Sequence, residues 1–201
     1  QPDLGTSISI ILLGVFILFL AGVRLWKFLL GFISTLILIP ISLKFIKPYQ
    51  KDRIISFLNP ESDPLGQGYQ LIQSKIALGS GGATGKGFLQ GTQSYLEYLP
   101  EKQTDFIFTL IGEEFGFLGT VFIISLFVLL ISVCYFVSIK CFHTYGRIVS
   151  LGVASNIFIY VIINISMVSG LMPVVGIPLP LISYGGSVML SIMISMGLVL
   201  N

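Results

Sequence analysis

The sequence predicts an all-α polytopic membrane protein: about five transmembrane helices, with one long extracytoplasmic loop between the second and the third. Three observations carry that prediction. Charged residues are only 10% of the 201-residue chain and hydrophobic ones 54%, against about 25% and roughly 45–50% in soluble domains. The mean hydropathy is +0.96. Five apolar stretches approach the ~20 residues that a helix needs to cross a bilayer, and polar residues gather in the connections between them. The net charge of +2 is too small to argue for a nucleic-acid partner.

The elements follow in order. The first span is 6–23, TSISIILLGVFILFLAGV, for which Asp3 and Thr6 of QPDLGT are candidate caps. The second is 27–46; Pro40 lies inside it, tolerable if neighbouring helices or Ser42 satisfy the freed carbonyl. Residues 47–105 form the long loop, with the glycine-rich runs DPLGQG and GSGGATGKG. Its piece YQLIQSKIAL is too brief to span and suits lying at the interface or dipping in. The third span is 106–139, continuously apolar from 115 onward. After a short cytoplasmic loop, 140–146, comes the fourth span, 147–170. An extracytoplasmic connection, 171–182, leads to the fifth, 183–200. Cys134 and Cys141 lie seven apart near the end of one span and read as packing residues. Gln1 is preceded by no Met or basic segment of a signal peptide, and both ends read as cut from something longer.

Orientation comes from the short loops. Arg24 and Lys27 lie in the first, and Lys140, His143 and Arg147 in or beside the loop between spans three and four. Alternation puts both loops on one side, and neither holds an acid. The positive-inside rule makes that side cytoplasmic. All nine acids then face outward.

Five of the nine fall within 97–114, EYLPEKQTDFIFTLIGEE. Asp105 sits where the third span begins, with Thr104 a plausible N-cap. An acid there is stabilised by the helix N-terminus by about 0.3–1 kcal/mol, so it can be a capping acid. It can equally be a general base at the bilayer rim. Glu97 lies eight residues earlier, and Pro100 between them prevents that spacing from being read as a helical distance. Glu113 and Glu114 lie deeper, where at least one needs a buried donor; an orienting hydrogen-bond pair is the plain reading. GSGGATGKG fails as a Walker loop, having Ser80 where glycine is needed and Gly87 where Ser or Thr is needed. It can form a backbone nest for an anion with Lys86 as a point charge, or a flexible loop with one solvated lysine. MPVVGIPLPLISYGGS (172–187) is irregular backbone, which persists at membrane depth only when buried by protein or lining a cavity. Ser183 and Tyr184 add hydrogen-bonding groups there. The lone His143 has no ligand partner nearby.

QPDLGT, GSGGATGKG, LEYLPEKQTDFIFTLIGEEFGF and VVGIPLPLISYGGS together resemble the SEDS (shape, elongation, division, sporulation) family of membrane proteins, in its order and with its gaps. LQGTQS (89–94) and VVGIPLPLISYGGS look like its elongation branch. The resemblance implies a ten-helix fold of which this chain would hold the second half. It implies a peptidoglycan glycosyltransferase of the bacterial cytoplasmic membrane, polymerising lipid II for cell elongation and rod shape. By motif it makes Asp105 the essential aspartate, to which the chemistry assigns the role of general base, and Glu97 a second functional acid; Lys86, Ser183 and Tyr184 are the substrate-binding candidates. It also implies a partner, a class B penicillin-binding protein that cross-links the strands. A leaving pyrophosphate needs positive charge. Family and chemistry together suggest a divalent cation, magnesium or manganese, although no ligand set stands out, and no organic cofactor. The competing reading is a lipid-precursor flippase or transporter without covalent chemistry. A scaffold for a partner enzyme is a third.

Overall fold

The computed structural model describes residues 4–42, 53, 55–60, 63, 66–95, 99 and 103–200. Among them are a short helical stretch at 55–58, no strand, and the seven helices α1 Leu4–Leu20, α2 Leu25–Ser42, α3 Gln67–Ser80, α4 Thr92–Tyr95, α5 Ile107–Lys140, α6 Thr144–Val168 and α7 Gly186–Leu200. The chain is thus an all-helical, polytopic membrane protein. α5 and α6, with 34 and 25 residues, are long and apolar enough to cross a membrane, while α1, α2 and α7 are shorter apolar helices. At ~1.5 Å per residue, the 25 residues of α6 reach about 38 Å, more than the ~30 Å hydrocarbon layer.

α6 is the centre of the bundle. Ile157, Val161, Met167 and Val168 are buried against Phe127 of α5 and Leu71 of α3. α1 runs antiparallel to it: Leu13 packs by Ile159 and Ile163, and the rings of Phe16 and Phe158 lie 6.2 Å apart. This places the α1–α2 turn, with Arg24, at the same end of the bundle as Arg147. α7 covers another side of α6, and α3 touches both α5 and α6. α2 leans on α1 through Phe19 and Phe28 and leaves Leu25, Trp26, Leu29, Phe32 and Ile37 half or more exposed.

Two elements differ from the expected layout. The long loop contains a 14-residue helix, α3, which is packed into the bundle. Leu71, Ser74 and Ala77 recur three apart on one face and are buried. The Ser74 hydroxyl lies 2.9 Å from Leu71 O and 3.0 Å from Val168 O, a donor shared between α3 and the end of α6. The third span is not one continuous helix. At Gly116 the backbone turns to φ 65°, ψ −160°, a conformation that glycine adopts at no steric cost.

A break in a membrane helix frees backbone groups that lipid cannot satisfy. Here the glycine loop satisfies four of them. Lys86 N donates to Glu113 O and Gly87 N to Glu114 O, both at 3.0 Å, while Phe117 N and Leu118 N donate to Gly82 O and Ala83 O at 2.9 and 3.1 Å. The contact is backbone against backbone: a Cβ on Gly116 would strike the Gly85 nitrogen, and one on Gly85 the Glu114 carbonyl. GSGGATGKG is therefore a docked brace for α5, in place of the flexible loop or anion nest allowed by the sequence; the amides of Lys86 and Gly87 are given to helix carbonyls.

Candidate functional site

The site lies where α5 begins. Phe106 is the N-cap residue and no side chain caps the helix. Thr104, the expected cap, instead gives its carbonyl to the Ser183 hydroxyl at 2.6 Å. Asp105 is half-buried, one residue ahead of the fully buried Phe106. Its carboxylate faces Gly176, where an added Cβ would come within 3.2 Å of Oδ2 and where φ is +76°. Glycine suits that position twice, by conformation and by lack of bulk.

Three hydrogen-bonded links hold the segment 103–105 against the proline-rich turn 176–184. Asn164 on α6 donates from Nδ2 to Asp105 O at 2.9 Å and to Ile177 O at 2.7 Å. Ser183 Oγ accepts from Leu179 N at 2.7 Å while donating to Thr104 O. Tyr184 N donates to Gln103 O at 2.9 Å. Ser183 thus braces the two loops with its hydroxyl engaged on both sides. The Tyr184 side chain is 79% exposed, beside a groove of about 470 Å³ lined by Gln103, Ile107, Ile182, Gly186 and Met189. Leu181, held at φ +63°, and Ile182 also border a second groove of about 320 Å³, walled by the α5 side chains Ile123, Leu126, Phe127, Leu129 and Leu130.

Lys86 belongs to a second cluster. Its Nζ lies 2.8 Å from Glu113 Oε1 and 2.8 Å from Thr92 Oγ1, and Gln93 N donates to the same Glu113 oxygen at 2.9 Å. Glu113 is fully buried, and the donors it was expected to need are these. The described contacts join Lys86 to Glu113 and place Ser183 in the frame around Asp105; they show no direct contact between the two clusters. Glu97 lies outside the described residues. Among the described residues no three His, Cys, Asp or Glu side chains gather as a ligand set, and Asp105 is the described carboxylate at this helix mouth that a divalent ion could meet. Asn164 and Gly176 escaped the sequence reading. An asparagine in the apolar run VIINISMV is itself a signal, since polar groups inside a membrane bundle are costly and bond to neighbours.

A bundle of apolar helices with a half-buried carboxylate at a helix mouth, and two largely apolar grooves bordered by the adjoining turn, defines a helical membrane protein with a candidate site at one end of the bundle. The match to the FtsW/RodA/SpoVE model, described as a cell cycle protein, covers residues 1–201, and the chain belongs to that family. It is 50% identical over 204 residues to the peptidoglycan glycosyltransferase MrdB of Escherichia coli strain K12, covering 100% of this chain and 55% of that protein. It is 43% identical to the stage V sporulation protein E of Bacillus subtilis, over 100% of this chain and 54% of that one. The chain spans about half the length of the curated relatives it matches. Its fold is similar to a chain from work on "structural coordination of polymerization and crosslinking by a peptidoglycan synthase complex", with TM-score 0.79, 34% identity and coverage of 100% of this chain and 55% of the other. It is also similar to the rod-shape-determining protein RodA of Thermus thermophilus, with TM-score 0.62, 25% identity and coverage of 100% and 49%.

Proposed function

We propose that the intact protein is a peptidoglycan glycosyltransferase that polymerises lipid II into glycan strands for cell elongation, with Asp105 as general base. The single observation that carries the reading is the setting of Asp105: an acid at a helix mouth, its backbone clamped from two sides and its carboxylate turned toward a side-chain-free glycine. Several relatives bearing the name peptidoglycan glycosyltransferase support it. The acid-bearing end of the bundle faces outward, because Arg24, Lys27, Lys140 and Arg147 collect at the other end. Lipid II presents its sugar on a pyrophosphate-linked polyprenyl chain, so the reacting carbon lies just above the headgroups, at the height of such a helix mouth.

In the reaction, the Asp105 carboxylate takes the proton from the acceptor sugar's hydroxyl. That oxygen forms a bond to the anomeric carbon of the donor as the bond from this carbon to the pyrophosphate oxygen breaks. The pyrophosphate leaves on its polyprenyl carrier, and direct displacement inverts the centre to give a β-linked strand. Glu97 is the second acid of the proposal. Lys86 is the candidate for the pyrophosphate charge; its ammonium has three N–H donors, and two contact Glu113 and Thr92. A bound magnesium or manganese ion would supply further neutralising charge, held by substrate phosphate oxygens and one carboxylate. The cross-linking partner is a class B penicillin-binding protein, in keeping with the synthase complex that the fold resembles.

The test is polymerisation of lipid II by the purified full-length protein with no other polymerase present. Asp105→Asn keeps the shape and removes the base, and general-base removal costs about 10²–10⁴-fold in rate; strand synthesis falls to background while expression and detergent melting hold. Wild-type protein that moves lipid II across vesicles and makes no strands would establish the flippase reading instead.

A further inference from the structure

We infer that Asn164 is a positioning residue for the reaction: its amide fixes the backbone from which Asp105 reaches its substrate. The inference rests on Asp105 acting as the base. Asn164 sits on α6, wholly buried, 59 residues from Asp105 along the chain, and its Nδ2 bonds both to Asp105 O and to Ile177 O. Those two carbonyls belong to the two loops that meet at the site. Ile177 follows Gly176, the residue that faces the Asp105 carboxylate. One side chain therefore sets the distance between the base and the wall opposite it.

The described first-turn bonds of helix α5 start one residue later. Thr109 N bonds to Phe106 O at 3.0 Å, and the Asp105 carbonyl turns to α6. The orientation of the Asn164 amide is settled by its partners, because two carbonyl acceptors require the NH2 end. Its Oδ1 is left buried with no hydrogen-bond partner among the described residues. A buried, unpaired amide oxygen is costly, by about 1–3 kcal/mol. Apolar packing alone is better served by an aliphatic side chain such as leucine, which has the same branched skeleton and no polar atoms. The chain keeps a polar group here whose only described bonds go to the two site loops.

Asn164→Leu and Asn164→Asp, made in the full-length protein, separate positioning from packing. Aspartate matches the volume of asparagine, leucine keeps its branched skeleton with bulkier ends, and both remove the two N–H donors. A displacement of about 1 Å in a reacting group can cost ~10²-fold in rate. The expected result is a fall in kcat of that order for each variant, with KM for lipid II within about threefold of wild type, per folded molecule counted by size exclusion. Asn164→Gln, which restores the two donors on a longer arm, recovers part of kcat. Leu or Asp variants with wild-type kcat per folded molecule overturn the inference; so does a loss seen only as less folded protein, which marks a purely structural amide. Asp105→Asn is run alongside. If it keeps activity, the general-base reading fails, and the inference with it; if it is inactive while Asn164→Leu is fully active, only the inference fails.

Discussion

At the scale of single residues, the clearest energetic demand is Glu113. A carboxylate with 1% side-chain exposure is held by the Lys86 ammonium, the Thr92 hydroxyl and a backbone amide. Removing one partner from a buried ion pair leaves an uncompensated charge, at a cost of about 3–5 kcal/mol. Glu113→Ala is therefore expected to lower the detergent melting temperature markedly, and Lys86→Met likewise. The double variant Lys86→Met, Glu113→Leu should lose less than the sum of the two, because neither charge is left alone; additive losses in a melting cycle would show that the pair is not coupled. The need of Glu113 for a donor was legible in the sequence, because an acid two turns inside an apolar helix cannot stay unpaired. The identity of the donor was not: Lys86 lies 27 residues away, beyond any helical spacing. Asn164 was harder still. It bonds to backbone carbonyls, and a backbone partner leaves no side-chain mark in the sequence. For Asp105 the position at a helix mouth was legible, and the clamp around it was not.

At the scale of elements, the helix boundaries divide by the kind of signal that sets them. α1, α5 and α6 follow from long apolar runs, and the described helices lie close to the expected spans. α3 was hidden because Gln70, Gln73 and Lys75 dilute its apolar face, so that hydropathy reads a loop where a buried i, i+3 stripe exists. The break in α5 was hidden for the opposite reason: FGFLG is apolar throughout, and hydropathy cannot see a positive φ. That break yields a sharp expectation. Gly116→Ala places a Cβ against the backbone of the glycine loop at a left-handed φ, a strain of about 1–3 kcal/mol before the clash is counted. Gly14→Ala in α1 meets no atom within 4 Å and should be neutral or stabilising by up to about 1 kcal/mol. Melting curves of the two full-length variants should move in opposite directions, and equal shifts would refute the role assigned to the break.

At the scale of the whole molecule, the sequence yielded the class and, through four motifs that run the length of the chain, the family. The antiparallel pairing of α1 with α6 adds what the sequence could only assume, that Arg24 and Arg147 share one end. The orientation is testable on exposed sites at either end. In a background of Cys134→Ala and Cys141→Ser, Tyr184→Cys should react with a membrane-impermeant maleimide on intact cells. Tyr145→Cys, 81% exposed in the native chain, should react only after permeabilisation. Labelling in the reverse pattern would invert the topology and remove Asp105 from the outer face.

The interruption at Gly116 also bears on how the protein is made. At ~1.5 Å per residue, residues 117–140 reach about 36 Å and can cross the ~30 Å hydrocarbon layer by themselves, whereas the bonds that close the break at Gly116, on both of its sides, need the glycine segment docked against it. Assembly is therefore expected to have two stages here, entry of the lower rod and seating of the upper one against the glycine loop. Until the second is finished, the segment that carries Asp105 has no fixed address.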